Sequence, residues 1–192
     1  LSIAATITIV TYLPQAMVRL GLFLLTNVIY RIRVVGQENI PATGPALIIP
    51  NHVSYVDPFL VGGCTSRWIR FMMFREMFEL PFIHPFVKFM DVIPIAQKDS
   101  PKRILASLLQ ARKRLEEGHV VCIFAEGAVT RIGQTLGFRK GFERIVKDLN
   151  VPIIPVHLDR VWGSIFSFER KKFIWKMPRQ IPYPVTVSFG KP

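Results

Sequence analysis

The chain has 192 residues, of which 50% are hydrophobic and 20% are charged, and its formal net charge is +12. This length fits one domain with one sizeable core, and the apolar content excludes a disordered chain. The positive charge favours an anionic partner, such as an anionic lipid surface, a nucleic acid or an acidic protein, and composition does not choose among them.

Residues 1–30 are the most apolar part of the chain, with Arg19 as their single charged residue. Pro14 divides this segment into two stretches, each shorter than the roughly 20 residues that a membrane-spanning helix needs. We therefore expect a membrane-associating segment of two short helices, inserted in one leaflet or lying at its surface. A single kinked span and a pair of buried core helices are the alternatives.

Residues 31–192 alternate strand-like and helix-like patterns. This alternation predicts a single α/β domain, with a largely parallel central sheet flanked by helices. Ser100 and Pro101 mark the start of a helix that ends at Gly118, and a second amphipathic helix is expected over 138–149. Strands are expected at residues 31–36, 46–50, 68–74, 91–96, 119–124, 151–158 and 184–190.

His52 and Asp57, within NHVSYVDP, are the first candidates for chemistry. Residues five apart lie on different faces of a helix, so the two side chains meet only if the chain turns between them. A strand end at Pro50 and a helix start at Asp57-Pro58, with Asp57 as N-cap, favour such a turn. A carboxylate on one imidazole nitrogen would free the other nitrogen as a base that acts on a substrate hydroxyl. The alternative is a capping aspartate beside an exposed histidine.

The second candidate is a glycine-rich segment at residues 122–141, which follows a predicted strand. Ligands bind at such strand ends in open α/β sheets. Arg131, Arg139 and Lys140 offer hydrogen-bond donors for a phosphate. The alternative is a flexible basic loop.

Three motifs follow one another along the chain: NHVSYVD, then FAEG, then VPIIPV. In composition and order they resemble the glycerol-phosphate and lysophosphatidate acyltransferase superfamily, over about residues 31–160. The longer string EGAVTRIGQTLGFRKGFERI is similar to the acyltransferase modules of bacterial fusions that join a lysophospholipid acyltransferase to an acyl-carrier synthetase. A start at Leu1 suits a module of such a fusion.

The resemblance implies that His52 is the catalytic base and Asp57 its partner. It places Glu126 and Gly127 in the acceptor site, and an apolar groove or tunnel would hold the acyl chain. We expect backbone N–H groups near Gly127 to stabilise the oxyanion. The family's reaction requires no metal and no bound cofactor.

Two departures from the family pattern concern the phosphate of the acceptor. Val129 stands where the third motif has an arginine, with Arg131 two residues later, and Gln97 stands where the second motif has one. These substitutions favour a lysophospholipid whose phosphate already carries a head group. Thr130, Arg131 and Arg75 are expected to contribute to acceptor binding, and for Arg75 a surface ion pair is the alternative.

The segment around residues 160–182 is basic and aromatic, and it favours a membrane interface. Single-stranded nucleic acid is the alternative partner, and the apolar N-terminal segment favours the membrane. The remaining histidines and both cysteines, Cys64 and Cys122, are expected to be structural. The basic and aromatic residues of the segment around 160–182 are Arg160, Trp162, Arg170, Lys171, Lys172, Trp175, Lys176 and Arg179.

Together these features predict a lysophospholipid acyltransferase at the cytoplasmic face of a bacterial inner membrane. The acyl donor would be a thioester of coenzyme A or of an acyl carrier protein, and the acceptor a lysophospholipid such as lysophosphatidylethanolamine. One alternative makes lysophosphatidate the acceptor and phosphatidate the product. Another is a non-enzymatic basic module that binds membranes. No nucleic-acid partner is expected.

Overall fold

The computed structural model describes residues 16–96, 98–169 and 180–192, which form a seven-stranded sheet. The strands are β1 (Tyr30–Val35), β2 (Ala46–Pro50), β3 (Ile69–Phe74), β4 (Ile93–Ile95), β5 (Val120–Cys122), β6 (Ile153–Asp159) and β7 (Tyr183–Phe189). The helices are α1 (residues 16–24), α2 (Asp57–Gly63), α3 (Arg75–Phe78), α4 (His84–Phe89), α5 (Pro101–Glu116) and α6 (Gly141–Val146). A π-helical turn, Leu25–Ile29, joins α1 to β1.

The strand order is β1-β7-β6-β2-β5-β3-β4, and every neighbouring pair is parallel except β6 and β7. This arrangement confirms the prediction of an α/β fold with a largely parallel sheet. β2 lies at the centre, and all five of its residues are buried because helices or loops cover both of its faces. The loops at its carboxyl end are therefore held by a rigid, fully packed strand.

The sheet separates two hydrophobic clusters. On one face, Leu60 and Val61 of α2 pack against β2, β5 and β6. On the other face, Leu108, Ala111 and Leu115 of α5 are almost completely buried against the sheet, as their helical spacing predicts. Ser100 is the N-cap of α5, since its side chain accepts a hydrogen bond from the backbone N–H of Arg103.

One predicted N-cap and one predicted pair of helix boundaries are wrong. α2 begins at Asp57 with Val56 as its N-cap, and the Asp57 carboxylate turns back toward the preceding loop instead of capping the helix. The second amphipathic helix is shorter than residues 138–149, because the backbone N–H of Arg139 bonds to the carbonyl of Ala125 and Lys147 leaves the helical conformation.

The π-helical turn that follows α1 packs against α2 through small side chains. A Cβ on Gly63 would lie 2.5 Å from Cγ2 of Thr26, so glycine permits this close approach. The guanidinium of Arg19 also donates a hydrogen bond to the carbonyl of Ser66. The outer face of α1 exposes Met17, Leu20 and Phe23 to solvent.

Several sequence-based predictions fall outside the described residues. They concern the first predicted helix with Pro14, the residue Gln97, and the basic residues and tryptophan of segment 170–179. Within the part of the chain that the structure describes, no helix is both long enough and apolar enough to cross a membrane.

Candidate active site

The loop after β2 brings His52 and Asp57 together. Nδ1 of His52 lies 2.9 Å from Oδ2 of Asp57, and the same oxygen accepts hydrogen bonds from the backbone N–H groups of Val53 and Ser54. These three donors hold the carboxylate over the loop that precedes α2. The turn predicted between the two residues is therefore present, and it places the pair at the carboxyl edge of the sheet.

The environments of the two side chains differ. Asp57 is completely buried, whereas 15% of the His52 side chain is exposed. Burial raises the pKa of the Asp57 carboxyl, and its hydrogen bonds from His52, Ser54 and Val53 act in the opposite direction. A carboxylate at this position orients the imidazole with Nδ1 as donor, which leaves Nε2 to meet a substrate.

Glu126 and Thr130 fix the backbone of His52. Oε1 of Glu126 accepts the N–H of His52 at 2.8 Å, and the N–H of Thr130 donates to the carbonyl of His52 at 2.9 Å. Oε2 of Glu126 accepts the N–H of Leu136 at 2.7 Å. One buried carboxylate thus connects the loop that carries His52 to the glycine-rich segment, with one backbone N–H bonded to each of its oxygens.

Gly127 also has a structural role in this loop. Its backbone adopts a positive φ of 71°, and its N–H donates to the carbonyl of Phe124 at 2.9 Å. The tight turn favours glycine because an L side chain is strained at this φ. The N–H of Gly127 itself is therefore engaged in a backbone hydrogen bond, and the oxyanion donors near it stay a prediction.

An apolar cavity of about 1150 Å³ opens beside His52. The imidazole forms part of its wall and stacks on Phe124, with ring centroids 4.1 Å apart. The cavity exceeds the roughly 300–1,000 Å³ of ordinary small-molecule pockets. α1, α2, β3 and α4 supply most of its lining: Met17, Val18, Leu22, Leu25, Phe59, Phe71, Met72, Met73, Phe74, Met77, Ile83, Phe86, Phe89 and Met90. This shape suits a long apolar chain with its reactive end at the imidazole.

The predicted phosphate-binding residues do not converge on one point. Nε of Arg75 donates to the nearly buried Asp99 at 3.0 Å, so Arg75 forms an ion pair, which was the alternative to acceptor binding. The Arg131 guanidinium is exposed and lies 5.5 Å from the centre of the Phe168 ring. Arg131 therefore has an accessible charge near the glycine-rich loop, whereas Arg75 is already paired.

Sequence reasoning missed two residues that hold the loop. Asn51 is buried and exchanges two hydrogen bonds with the backbone of Leu158 in β6. Ser54 donates from Oγ to the carbonyl of Phe166 at 2.7 Å. Both residues belong to the NHVSYVD motif, but their partners are more than 100 residues away in sequence. Only the motif itself signalled that they matter.

The remaining histidines and cysteines lie away from this chemistry. His119 precedes β5, so it lies at the amino edge of the sheet. The His52–Asp57 pair lies at the opposite, carboxyl edge. Nδ1 of His84 contacts the carbonyl of Phe78 at 3.1 Å. Cys64 and Cys122 are buried free thiols, and burial raises the pKa of Cys64 to about 12. The structure is consistent with a structural role for all four.

Comparison with known families gives one match over most of the chain. The family model described as Acyltransferase matches residues 31–159. That range contains β2 to β6, all of β1 except Tyr30, the His52–Asp57 pair and Glu126.

Curated relatives share between a quarter and a third of their aligned residues with this chain. The 1-acyl-sn-glycerol-3-phosphate acyltransferase of Pseudomonas aeruginosa is 30% identical over 135 residues, which are 69% of this chain and 51% of the relative. The chloroplastic enzyme LPAT1 of Arabidopsis thaliana is 27% identical over 130 residues, 67% of this chain and 36% of the relative. The chain thus spans about a third to a half of these two relatives.

A solved structure illustrates the same fold. The crystal structure of the 1-acyl-sn-glycerophosphate acyltransferase PlsC from Thermotoga maritima superposes with a TM-score of 0.74, covering 94% of this chain and 68% of that chain. Sequence identity is 22%, so this likeness concerns the architecture alone.

Proposed function

Because the chain belongs to the acyltransferase family, we propose that it transfers a fatty acyl group from a thioester to the free hydroxyl of lysophosphatidate. The observation that carries the proposal is the His52–Asp57 pair at the wall of a large apolar cavity. A base beside a site for an acyl chain is what acyl transfer to an alcohol requires.

The reaction would proceed by direct attack. Nε2 of His52 takes the proton of the acceptor hydroxyl as the oxygen forms a bond to the thioester carbonyl carbon. Asp57 stabilises the imidazolium that results. The tetrahedral intermediate then expels the thiolate, which takes the proton from His52. The products are the acylated lipid and a free thiol of coenzyme A or of an acyl carrier protein.

Lysophosphatidate replaces lysophosphatidylethanolamine as the preferred acceptor in this proposal. The support is that the relatives are named 1-acyl-sn-glycerol-3-phosphate acyltransferases. Lysophosphatidylethanolamine remains the second candidate, because Val129 stands where the family motif has an arginine and Arg75 is already paired with Asp99. Arg131 is an accessible cation of the glycine-rich loop, and we assign it to the phosphate.

An acceptor panel tests this assignment. Purified protein should acylate lysophosphatidate with a higher kcat/KM than lysophosphatidylethanolamine, measured with one acyl-coenzyme A in the same detergent. Arg131→Ala should raise KM for lysophosphatidate about tenfold, since a hydrogen bond to a charged group contributes roughly 1.5–3 kcal/mol when buried and less at an exposed site. KM for lysophosphatidylethanolamine should rise less, because its phosphodiester carries a smaller negative charge than the phosphomonoester of lysophosphatidate. The opposite acceptor preference would return the assignment to lysophosphatidylethanolamine.

We also place the protein on the cytoplasmic face of a membrane, held by two kinds of contact. Met17, Leu20 and Phe23 expose apolar surface on α1, and Phe82 is 97% exposed in the segment before α4. α1 and α4 both border the cavity, so this apolar surface lies on or next to elements that line it. Its insertion would contribute roughly 25 cal/mol per Å² of buried area. Basic residues such as Arg160 would add attraction to anionic head groups.

Vesicle flotation separates the two contacts, because they respond differently to salt. At about 1 M salt the Debye length falls to about 3 Å and the electrostatic attraction is screened, whereas the hydrophobic contact remains. We expect the wild-type chain to stay partly bound to anionic vesicles after such a wash. The triple variant Met17→Ser, Leu20→Ser, Phe23→Ser should be released. Leu109→Ser, at an exposed leucine on α5, is the matched control and should bind like wild type. Complete release of the wild type would refute insertion of α1.

A further inference from the structure

The ring of Phe168 connects the wall of the apolar cavity to the glycine-rich segment. The centres of the Tyr55 and Phe168 rings are 5.8 Å apart, and Tyr55 belongs to the cavity lining. The guanidinium carbon of Arg131 lies 5.5 Å from the centre of the same Phe168 ring. One aromatic side chain therefore contacts both a residue of the cavity wall and the cation that we assign to the acceptor phosphate.

The backbone around Arg131 is fixed to the loop that carries His52. Thr130 is almost completely buried, and its N–H donates to the carbonyl of His52 at 2.9 Å. Oγ1 of Thr130 accepts the N–H of Ile132 at 3.3 Å, so a side chain closes the turn around Arg131. The Arg131 side chain is exposed, and among the described residues its guanidinium contacts the Phe168 ring and forms no ion pair.

The segment that carries Phe168 is attached to the same loop. Ser54 donates from Oγ to the carbonyl of Phe166 at 2.7 Å, and it pairs with Ser167 in an isolated antiparallel bridge. Ser167 is completely buried, and Phe168 is the next residue. The ring position is therefore tied to the loop of the catalytic pair, although Phe168 lies outside the residues 31–159 that the family model matches.

The chemistry of the acceptor explains why this position suits a phosphate. In 1-acyl-sn-glycerol-3-phosphate, the free hydroxyl and the phosphate are attached to adjacent glycerol carbons. When the hydroxyl contacts Nε2 of His52, the phosphate must therefore lie within a few bonds of that nitrogen. Arg131 directly follows a residue that is hydrogen-bonded to the His52 backbone, so its side chain starts close to this position.

We propose that Phe168 is a positioning residue for Arg131, and that its ring holds the guanidinium beside the cavity wall at Tyr55 to bind the acceptor phosphate. The inference rests on the proposed function, and it names a residue outside the family motifs. A cation on a ring face interacts with the π electrons and uses none of its N–H donors, so these donors stay available for phosphate oxygens. Without the ring, the exposed side chain would lose more conformational entropy when the phosphate binds.

The test is a double-mutant cycle on the KM of the acceptor. Phe168→Leu keeps an apolar side chain but removes the ring face. It should raise KM for lysophosphatidate about two- to fivefold, the factor that corresponds to a cation–π contact at an exposed site. kcat should stay near the wild-type value, because Phe168 contacts neither His52 nor Asp57. KM for the acyl-coenzyme A should also stay constant, which distinguishes the acceptor phosphate from the phosphates of the donor.

The second arm of the cycle separates positioning from packing. In the Arg131→Ala background, Phe168→Leu should have no further effect on KM for lysophosphatidate, because the cation that the ring positions is absent. Phe168→Tyr keeps the ring and is the matched control, with KM near the wild-type value. Phe168→Met also lacks a ring, and it replaces Phe168→Leu if circular dichroism shows that the latter does not fold.

Three results would overturn the proposal. They are an unchanged acceptor KM in a folded variant without the ring, an equal rise of KM in the Arg131→Ala background, and a rise in KM for acyl-coenzyme A instead of the acceptor. Failure of the proposed function is distinct from all three, because the wild-type chain itself would then transfer no acyl group to lysophosphatidate.

Discussion

Replacement of His52 by alanine should lower the rate of acyl transfer by about 10² to 10⁴, the usual contribution of a general base. The fall should lie in kcat, because the imidazole acts on the proton that moves in the transition state. The variant should still fold, since the backbone contacts of His52 to Glu126 and Thr130 do not involve the side chain. Turnover with an acyl-coenzyme A and circular dichroism measure the two quantities.

His157→Ala is the matched control for this experiment. His157 lies on β6 with its side chain exposed, so its loss should change neither rate nor fold. Asp57→Asn should also lose most of the activity, because an amide cannot stabilise an imidazolium as a carboxylate does. Turnover of His52→Ala near the wild-type rate would eliminate the proposed mechanism.

Replacement of Glu126 by alanine should damage both stability and activity. The backbone N–H groups of His52 and Leu136 would lose their acceptor, at a cost of about 1–3 kcal/mol for each group that stays buried. The His52 backbone would shift, and a misplacement of about 1 Å can lower a rate 10²-fold. Thermal unfolding and the kcat of acyl transfer should therefore fall together.

Glu143→Ala provides the comparison for Glu126→Ala. Glu143 is an exposed glutamate in the first turn of α6, and its removal should leave both quantities nearly unchanged. A direct contact between Glu126 and the acceptor predicts a different result. KM for the acceptor would rise while the unfolding temperature stayed constant. That outcome would contradict a stabilising role for the hydrogen bonds that Glu126 accepts from His52 and Leu136.

Three short motifs are sufficient to identify the family. NHVSYVD, FAEG and VPIIPV, in that order, indicate the superfamily that the family model then confirms over residues 31–159. The likeness to the modules of fused enzymes stays a prediction. Motifs of this kind are local strings of residues, and strand ends are marked by local signals such as Pro50. Motifs and strand ends can therefore be recognised in the sequence without knowledge of which distant segments are in contact.

The assignment of roles within those motifs required the tertiary structure. The placement of Glu126 and Gly127 in the acceptor site stays a prediction, whereas the structure shows that Glu126 accepts the backbone N–H of His52 and that Gly127 turns the chain. The reason is that β5 lies beside β2 in the sheet, so the residues after one strand face the loop after the other. Strand order depends on contacts between segments that are distant in sequence. A motif at the end of one strand therefore does not indicate which strand lies beside it in the sheet.

Local sequence patterns determined the α/β class, the α5 helix with its Ser100 cap, and the turn that joins His52 to Asp57. Each depends on residues within one or two turns of chain, where spacing and capping act directly. Only the tertiary structure decided the antiparallel pairing of β6 with β7, the end of α6 at Val146 and the cavity beside the imidazole. These features arise from packing between segments far apart in sequence, and their free energy exists only once those segments are in contact.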